Sequence, residues 1–461
     1  MMMSQVAQAL DATLYGSDVL MTGVSKDTRD IHAGDLYVAL KGERFDGHQF
    51  VENANSAGAV AALVSDIQTD EKIKEMPQVQ VGDTRIALGQ LAAYWCKLWR
   101  QKSLTGKMIG ITGSNGKTSV KEMCAKILAD HAGDSAVLAT KGNLNNDIGL
   151  PMMLLELQEQ HRFAVIEMGA NHVGEIDYLT SIALPDVAIL NNVGPAHLEG
   201  FGSLENTANA KAEIFNGLPE NGIAVINLDD AFASLWQKIC INKKTFSFSM
   251  NDPSADVYAK HIDGNRYLII ADGSEAELSL KVPGKHNVMN ALAATAATLS
   301  VGVSLSAIVA SLSEFENIQG RLTVSVSDTG CRVIDDTYNA NPRSVSAAID
   351  VLVAQSGNRI LVLGDMGELG ESAGDLHADV GRRAKEAGID SLYATGELSS
   401  NTVEAFGENG FYCKDKKELI DALQEKLTGN DVVLVKGSRS AAMEEVVERI
   451  LTHENNNKRV N

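Results

Sequence analysis

The sequence predicts an α/β fold made of three domains: a small N-terminal α/β domain, a central domain with a mostly parallel sheet around a phosphate loop, and a C-terminal Rossmann-like domain. The 461 residues provide enough chain for about two to four domains. Apolar, strand-like runs alternate with loops and helical patterns along most of the chain. A glycine-rich loop at residues 113–119 stands between an apolar run and a helical pattern. We place the three domains at residues 1–83, 84–317 and 318–461.

The composition limits the classes of partner. The chain carries 40 Lys and Arg against 60 Asp and Glu, a formal charge of -20, so nucleic acid and anionic membranes are poor partners. The five cysteines are scattered without a C-x-x-C pair, which is typical of buried thiols in a reducing compartment. No apolar run approaches the length of a membrane span, and residues 1–10 lack the pattern of a signal peptide. We expect a soluble, cytoplasmic, monomeric protein without membrane insertion.

The N-terminal domain is predicted from two strand-like runs, residues 35–40 and 59–65, with a helical stretch at 50–57 between them. Polar clusters at 25–29 and 42–48 flank the first strand. Such clusters are typical of ordinary turns, and ligand binding is the alternative interpretation.

The central domain begins with a helix over residues 86–99 and continues into a nucleotide site. An apolar, β-branched run at 107–112 leads to the pattern G-x-x-G-K-T-S and then to helical spacing. In such a loop, backbone N–H groups, the helix N-terminus and a lysine ammonium converge on a polyphosphate, and a threonine hydroxyl can reach its magnesium ion. The usual phosphate loop has glycine where Ile111 stands, so this loop is a shorter form. The predicted ATP site comprises Gly113, Ser114, Asn115, Gly116, Lys117, Thr118 and Ser119.

Candidate metal ligands follow in three segments of the same domain. Glu167 ends the strand within residues 163–169, His197 follows the run at 187–194, and Lys211 lies in an apolar helical pattern. Because the carboxyl ends of parallel strands meet at one edge of a sheet, a carboxylate and an imidazole there can hold a divalent cation beside a nucleotide. Each residue alone also has a structural interpretation. Glu167 and His197 are then satisfied polar groups, and Lys211 is a surface lysine with a buried stem.

The remainder of the central domain is predicted to contain an antiparallel hairpin within residues 256–282, around the turn at 272–273, with a structural role. Residues 284–290 then enter an alanine-rich helix. Asn287 and Asn290 are three apart and share a helix face, so their amides either reach one ligand or cap the helix.

The C-terminal domain is predicted to open with a hairpin across residues 328–330. Strands follow at 359–363, 390–394 and 431–435, each with a loop and a helix after it, which favours a second parallel sheet. The polar, Asn-rich residues 452–461 are expected to fray.

Taken together, these motifs resemble the Mur ligases of peptidoglycan synthesis over essentially the whole chain. The matching segments are residues 112–119, 143–146, Glu167, 192–197, 210–215, 286–287, 336–342 and 436–438. Asp-Thr-Arg at 27–29, Asp-Gly-His at 46–48, Asn-Ala-Asn-Pro at 339–342 and Gly-Asp-Met-Gly-Glu-Leu at 364–369 are most similar to one member. That member adds D-alanyl-D-alanine to UDP-N-acetylmuramoyl tripeptide. The member that adds the third amino acid would carry a His-Thr-Pro pattern where this chain has Asn-Ala-Asn-Pro.

The resemblance implies a role for each candidate residue. The implied ATP ligands outside the phosphate loop are Asn287, Asn290, Arg321 and Asp336. The implied ligands of the UDP end of the substrate and of its peptide are Thr28, Arg29, Asp46, His48, Asn145 and Asn146. The implied Mg²⁺ ligands are Thr118, Glu167, His197 and Lys211, with the lysine carbamylated. The residues implied to act in catalysis are Lys117, Glu167, His197 and Lys211.

The implied reaction is ATP-dependent amide formation through an acyl phosphate, which the amine of D-alanyl-D-alanine attacks. The C-terminal domain is then expected to close over the central one, carrying Arg321 and Asp336 to the ATP site. The alternatives are another Mur-type ligase, a ligase similar to folylpolyglutamate synthase, a phosphate-loop kinase or ATPase, and a non-catalytic nucleotide-binding regulator. The sequence leaves open whether lysine or diaminopimelate is the third residue of the tripeptide.

Overall fold

The protein is represented by a computed structural model that describes residues 1–43, 45–103, 105–195 and 198–452. Within these residues the chain forms three sheets, of five, nine and six strands. The prediction of an α/β fold with three domains is confirmed. His197 and residues 453–461 of the expected frayed tail lie outside the described residues.

The N-terminal sheet has the strand order β1-β5-β4-β3-β2. Its strands are β1 Thr13–Tyr15, β2 Gly23–Ser25, β3 Asp35–Val38, β4 Ala61–Val64 and β5 Gln78–Gln80. Its helices are α1 Met3–Ala9 and α2 Val51–Ala57. β1 pairs with β5 antiparallel, and the other pairs are parallel. The two predicted strands and the helix between them are confirmed as β3, β4 and α2.

Helix α3, Thr84–Lys102, connects the N-terminal and central sheets. Asp83 caps it, because its carboxylate accepts the N–H groups of Arg85 and Ile86. The residues of its first half that pack in the core of the N-terminal sheet are Ala87, Leu88 and Leu91. The residues of its second half that pack in the core of the central sheet are Ala92, Cys96 and Trp99. One helix therefore belongs to two cores.

The central sheet has the order β14-β13-β12-β11-β10-β9-β6-β8-β7. Its strands are β6 Lys107–Thr112, β7 Val137–Ala139, β8 Phe163–Glu167, β9 Val187–Leu190, β10 Ile223–Asn227, β11 Lys244–Ser249, β12 Val257–Asp263, β13 Arg266–Ala271 and β14 Ser274–Ser279. Its helices are α4 Lys117–Ala132, α5 Gly149–Leu154, α6 Glu175–Ala183, α7 Leu198–Phe201, α8 Leu204–Ala212, α9 Ala233–Ile239, α10 Lys285–Ser300 and α11 Leu305–Ser313. Strands β6 to β12 pair in parallel, and β13 and β14 add the predicted antiparallel hairpin.

Both faces of the central sheet are covered by helices. Along β6, Ile109 and Ile111 face the core formed with α4, α10 and α11. Met108 faces the opposite core, formed with α3, α5 and α6. Because successive side chains of a strand point to opposite faces, a strand covered on both sides reads as a continuous apolar run. This packing explains why the sequence of β6 shows no alternation.

The C-terminal sheet has the order β15-β16-β20-β17-β18-β19, with β15 antiparallel at its edge. Its strands are β15 Thr323–Val326, β16 Arg332–Asp336, β17 Asn358–Leu363, β18 Ser391–Thr395, β19 Gly410–Cys413 and β20 Asp431–Lys436. Its helices are α12 Pro342–Val353, α13 Ala373–Glu386, α14 Ser399–Phe406, α15 Lys416–Lys426 and α16 Glu444–Leu451. The predicted hairpin and the three parallel strands are confirmed, and β19 is an additional strand.

The five cysteines are buried and unpaired, as their scattered positions predicted. Across the described ranges, no helix combines the length and the apolar character needed to cross a membrane.

Candidate active site

The phosphate loop lies where the strand order of the central sheet reverses. β6 pairs with β8 on one side and β9 on the other, so the loops after these three strands meet at the carboxyl edge, where open α/β sheets bind ligands. Gly116, just before α4, has a φ of 79°. A Cβ at this position would stand 2.3 Å from Asn290 Oδ1. Both the backbone conformation and the available space therefore require glycine here.

The loop after β9 is hydrogen-bonded to the phosphate loop. The Asn192 side chain accepts the Asn115 N–H at 2.9 Å and donates to the Asn115 carbonyl at 3.0 Å. The Ser114 hydroxyl donates to the Gly194 carbonyl at 3.2 Å and accepts the Gly194 N–H at 3.0 Å. Sequence reasoning assigned no role to Asn192. The signal available was a pair of amides directly after an apolar strand, at a sheet edge already predicted to bind ligands.

Glu167 lies at the centre of the predicted metal site. Its side chain is buried at the end of β8. One carboxylate oxygen accepts the Thr118 hydroxyl at 2.8 Å, and the other accepts the Asn145 amide at 2.7 Å. Thr118 and Glu167 are thus brought together as predicted. Asn145, which was predicted to lie near the peptide, is the donor to this carboxylate.

Lys117 and Lys211 are two lysines with lowered pKa values in this region. Lys117 donates to the Gly113 carbonyl at 2.8 Å. Desolvation lowers its pKa, Glu167 opposes that shift, and the Arg321 guanidinium lowers the pKa further. Lys211 is 1% exposed in α8, and its ammonium lies 5.5 Å from the centre of the Phe201 ring. Burial, together with the charge of Lys117, lowers the pKa of Lys211 to about 7.

The burial of Lys211 excludes the interpretation of a surface lysine that its helical pattern allowed. Among the described residues, no carboxylate lies within ion-pair distance of its ammonium. A buried lysine without a counter-charge favours its neutral form. The neutral amine is the form that reacts with electrophiles, so the predicted carbamate is chemically compatible with this environment.

Asn287 and Asn290 are buried on α10 and line the cavity described below. α10 begins at Lys285, so both lie in its first two turns. Asn290 accepts the Asn191 amide at 3.0 Å, and Asn287 donates to the Pro283 carbonyl at 2.7 Å. Their shared helix face is confirmed, and neither acts as the N-cap residue of α10, which is Gly284.

Two predicted ATP ligands come from the C-terminal domain, and the structure separates their roles. Arg321 donates to the Thr118 hydroxyl at 2.9 Å, and its guanidinium lies 4.2 Å from the centre of the Tyr338 ring. Arg321 therefore reaches the phosphate loop without the travel that we expected. Asp336 lines the same cavity, but its carboxylate pairs with Lys436 at 2.5 Å, across the parallel register of β16 and β20.

Several polar atoms around the phosphate loop are buried without a hydrogen-bond partner within the described part of the chain. They are Asn115 Nδ2, Asn191 Oδ1 and Arg321 Nε. A buried polar group without a partner is costly, and such groups often mark a ligand position. Two of the three are donors, which fits an anionic polyphosphate. The hydroxyl of Thr118 and the carboxylate of Glu167 both offer oxygen atoms as metal ligands, which fits a hard divalent cation.

The N-terminal candidates form a separate group. Arg29 pairs with Asp27 at 2.5 Å and is mostly exposed. The imidazole of His48 bonds to Asp46 through Nδ1 at 2.6 Å, and its Nε2 accepts the Ser65 N–H at 2.9 Å. Burial and then the charges of Asp27 and Asp46 raise the pKa of Tyr37 to about 12. The two polar clusters therefore flank one tyrosine, and none of their described residues lines the main cavity.

Asn146 and a missed ion pair lie at the entrance from the N-terminal side. The Asn146 side chain accepts the N–H of Gly149, the first residue of α5, at 2.8 Å. The next residue, Asp147, pairs with Arg85 at the start of α3, and both line the main cavity. Sequence reasoning passed over this pair because the two charges are separated along the chain by most of α3 and by β6, α4 and β7.

One cavity of about 2140 Å³ is lined by residues 114–119 of the phosphate loop together with Glu167, Asn287, Asn290, Arg321 and Asp336. Its walls include residues from the start of α3, from the carboxyl edge of the central sheet and from the β16 and β20 ends of the C-terminal sheet. Small-ligand pockets have volumes of about 300–1,000 Å³. The cavity is therefore large enough for more than one reactant at once.

Family models match three consecutive segments of the chain. The Mur ligase family catalytic domain matches residues 20–95, the Mur ligase middle domain residues 111–298, and the Mur ligase glutamate ligase domain residues 320–439. These matches follow the N-terminal, central and C-terminal sheets in order.

Full-length relatives and solved structures agree with these matches. The UDP-N-acetylmuramoyl-tripeptide–D-alanyl-D-alanine ligase of Escherichia coli (strain K12) is 44% identical, over 97% of this chain and 98% of the relative. The crystal structure of MurF from Acinetobacter baumannii has a TM-score of 0.89 at 37% identity, covering 97% of this chain and 98% of that one. MurF from Thermotoga maritima in complex with ADP has a TM-score of 0.81 at 29% identity, covering 94% and 98%.

Proposed function

The chain belongs to the Mur ligase family, and from that premise we propose that it joins D-alanyl-D-alanine to UDP-N-acetylmuramoyl tripeptide with ATP as the energy source. The observation that carries the proposal is the meeting of the central and C-terminal domains at one cavity, with Arg321 of the C-terminal domain on Thr118 of the phosphate loop. A ligase with three substrates needs such a junction, whereas a simple ATPase does not.

The chemistry follows from the weakness of a carboxylate as an electrophile. The tripeptide carboxylate attacks the γ-phosphorus of ATP, a new C–O–P bond forms, and ADP leaves. The amine of D-alanyl-D-alanine then attacks the acyl carbon, loses a proton, and forms an amide as inorganic phosphate departs. Both steps bring negatively charged groups together, so positioning and charge compensation carry the catalysis.

We assign charge compensation to Lys117, Arg321 and the N–H groups of the phosphate loop, supported by the partnerless donors around that loop. Asn287 and Asn290, buried on one face of α10, are assigned to the adenine side of the nucleotide. Asp336 is assigned to the orientation of Lys436, to which it is bonded, beside the same nucleotide.

Thr118 and Glu167 would hold Mg²⁺. His197, which lies outside the described residues, is assigned as a further ligand. When bound, the cation neutralises charge on the phosphates and on the reacting carboxylate. Lys211 is assigned as a carbamate. Its neutral amine adds to CO₂, an N–C bond forms and one proton is released, which converts a buried cation into an anionic oxygen ligand. The pKa near 7 supports this assignment, because much of the amine is neutral at physiological pH.

The UDP end of the substrate is assigned to the N-terminal polar clusters, with Thr28, Arg29, Asp46 and His48 as ligands. The peptide is assigned to the entrance beside Asn145 and Asn146. Arg29 must release Asp27 in order to bind a diphosphate. We retain residues 1–83, 84–317 and 318–461 as the three domains, and we place the reaction in the cytoplasm, where ATP and UDP-linked precursors occur. We expect a monomer.

The test is phosphate release measured with each substrate omitted in turn. We expect release only when ATP, UDP-N-acetylmuramoyl tripeptide and D-alanyl-D-alanine are all present, with a product whose mass equals the two joined substrates minus water. A panel of lysine and diaminopimelate tripeptides identifies the third residue. Release with folate and glutamate instead, or ATP turnover without either acceptor, would refute the proposal.

A further inference from the structure

We propose that Arg343 is a positioning residue that orients the loop at residues 192–195 from the C-terminal domain. The inference deepens the proposed function and rests on it, because this loop leads to His197. Arg343 is the second residue of α12, whose N-cap is Asn341. Its guanidinium donates to the Val193 carbonyl and lies 3.8 Å from the Asp230 carboxylate. Both partners belong to the central domain.

The same short loop is held from its other side by the central domain itself. The Asp230 carboxylate accepts the Val193 N–H at 2.8 Å. Its other oxygen accepts the Phe232 N–H at 3.0 Å. Gly194 is bonded to the Ser114 hydroxyl, as described above. The N–H of Val193 is therefore held by Asp230 of the central domain, and the carbonyl of Val193 is held by Arg343.

The charge of Asp230 makes the loop conformation depend on the contact with Arg343. The Asp230 side chain is 2% exposed, and within the described residues Arg343 is the cation that faces it. Two N–H donors stabilise the carboxylate, but they carry no net charge. Loss of the guanidinium would leave a nearly buried charge without a counter-ion, which is costly. The conformation of the loop that suits Asp230 is thus favoured when the C-terminal domain is docked.

Arg343 differs from the other residues that cross between the two domains. Arg321 contacts Thr118, and Asn341 donates to the Asn115 side chain at 2.7 Å. Those two contacts are on the phosphate loop. Arg343 contacts the neighbouring loop, after β9. Docking of one domain therefore holds both loops, and Arg343 links the conformation of the loop after β9 to docking.

The test compares Arg343→Ala and Arg343→Lys with a matched control, Arg383→Ala. Arg383 is also a partly exposed arginine of the C-terminal domain, but it pairs with Asp350 inside that domain. We expect Arg343→Ala to lower kcat for ligation about tenfold, the worth of a hydrogen bond with a charged partner. The KM for UDP-N-acetylmuramoyl tripeptide should stay within about twofold, because its UDP end is assigned to a different domain. Arg343→Lys should recover part of kcat, since one ammonium can reach either partner but not both.

A second readout does not depend on ligation. Hydrogen exchange of the Val193 and Gly194 amides should be about tenfold faster in Arg343→Ala than in the wild type, and unchanged in Arg383→Ala. Equal kcat and equal exchange in the two alanine variants would overturn the proposal. If the wild type fails to ligate the two substrates, the proposed function fails, and the exchange comparison still decides the role of Arg343. Arg343→Lys serves the same comparison if the alanine variant does not fold.

Discussion

Replacing Lys211 with methionine should stabilise the protein while abolishing its activity. In the fold the pKa of Lys211 falls from 10.5 to about 7. Each unit corresponds to about 1.4 kcal/mol, so enclosing this lysine costs on the order of 5 kcal/mol at pH 7. Methionine fills a similar volume and carries no charge. Lys211→Met should therefore raise the free energy of unfolding by up to that amount in CO₂-free buffer.

The pH dependence of the free energy of unfolding distinguishes removal of a buried charge from better packing as the cause of the gain. Between pH 7 and about 10.5 the unfolded lysine is protonated and the folded one is neutral, so the wild type gains stability as the pH rises. Below pH 7 both states are protonated and the difference between the proteins should be constant. The advantage of Lys211→Met should thus shrink from pH 7 towards pH 10.5.

Urea unfolding followed by tryptophan fluorescence is the suitable assay. The three tryptophans are Trp95, Trp99 and Trp236, which pack in or against the same core of the central sheet. The signal therefore reports the domain that contains Lys211. Bicarbonate supplies the control, because carbamate formation should stabilise the wild type and leave Lys211→Met unchanged. An advantage of the variant that is equal at every pH would refute the reasoning.

The other predictions concern activity. Lys211→Ala should lose ligation, and added short carboxylic acids should restore part of it; normal activity without them would contradict the carbamate assignment. Lys117→Met should lower kcat by about a thousandfold, because charge compensation at the phosphates is lost, as phosphate release would show against unchanged urea unfolding. Glu167→Gln should raise the half-saturating Mg²⁺ concentration by about ten- to a hundredfold, measured by magnesium titration of ligation; an unchanged requirement would exclude Glu167 as a ligand. Arg321→Ala should raise the KM for ATP about tenfold, through loss of a charged hydrogen bond, and leave the KM for D-alanyl-D-alanine unchanged in steady-state assays.

Local patterns were sufficient to predict the strand–loop–helix around Lys117 and the placement of Glu167 at a strand end. The reason is that both depend on short segments: a buried parallel strand is an apolar run, and a phosphate loop needs glycine at a fixed distance from a helix start. The hairpin turn at residues 272–273 was visible for the same reason. The alanine-rich helix was predicted over residues 291–299, but α10 begins at Lys285. Its start was placed too late because Lys285 and His286 are polar and lie in a helix turn that lines a cavity.

The features that sequence reasoning missed depend on contacts between distant segments. The pairing of Asp336 with Lys436 requires the register of β16 against β20. The contact of Arg343 with Val193 requires two domains to be docked. The burial of Lys211 contradicts its local pattern, because its surroundings include groups outside its own helix, such as the Phe201 ring of α7. No periodicity in one segment reports such arrangements.

Helix α3 has a consequence for the kind of molecule that the protein can accept. Its 19 residues form a rod about 28 Å long, anchored at one end in the N-terminal core and at the other in the central core. Domains joined by a flexible linker can adjust their separation, but these two cannot do so without unpacking the helix. A reactant held in both domains must therefore have a set reach between its two ends. Substrate length then contributes to selectivity alongside the recognition of chemical groups.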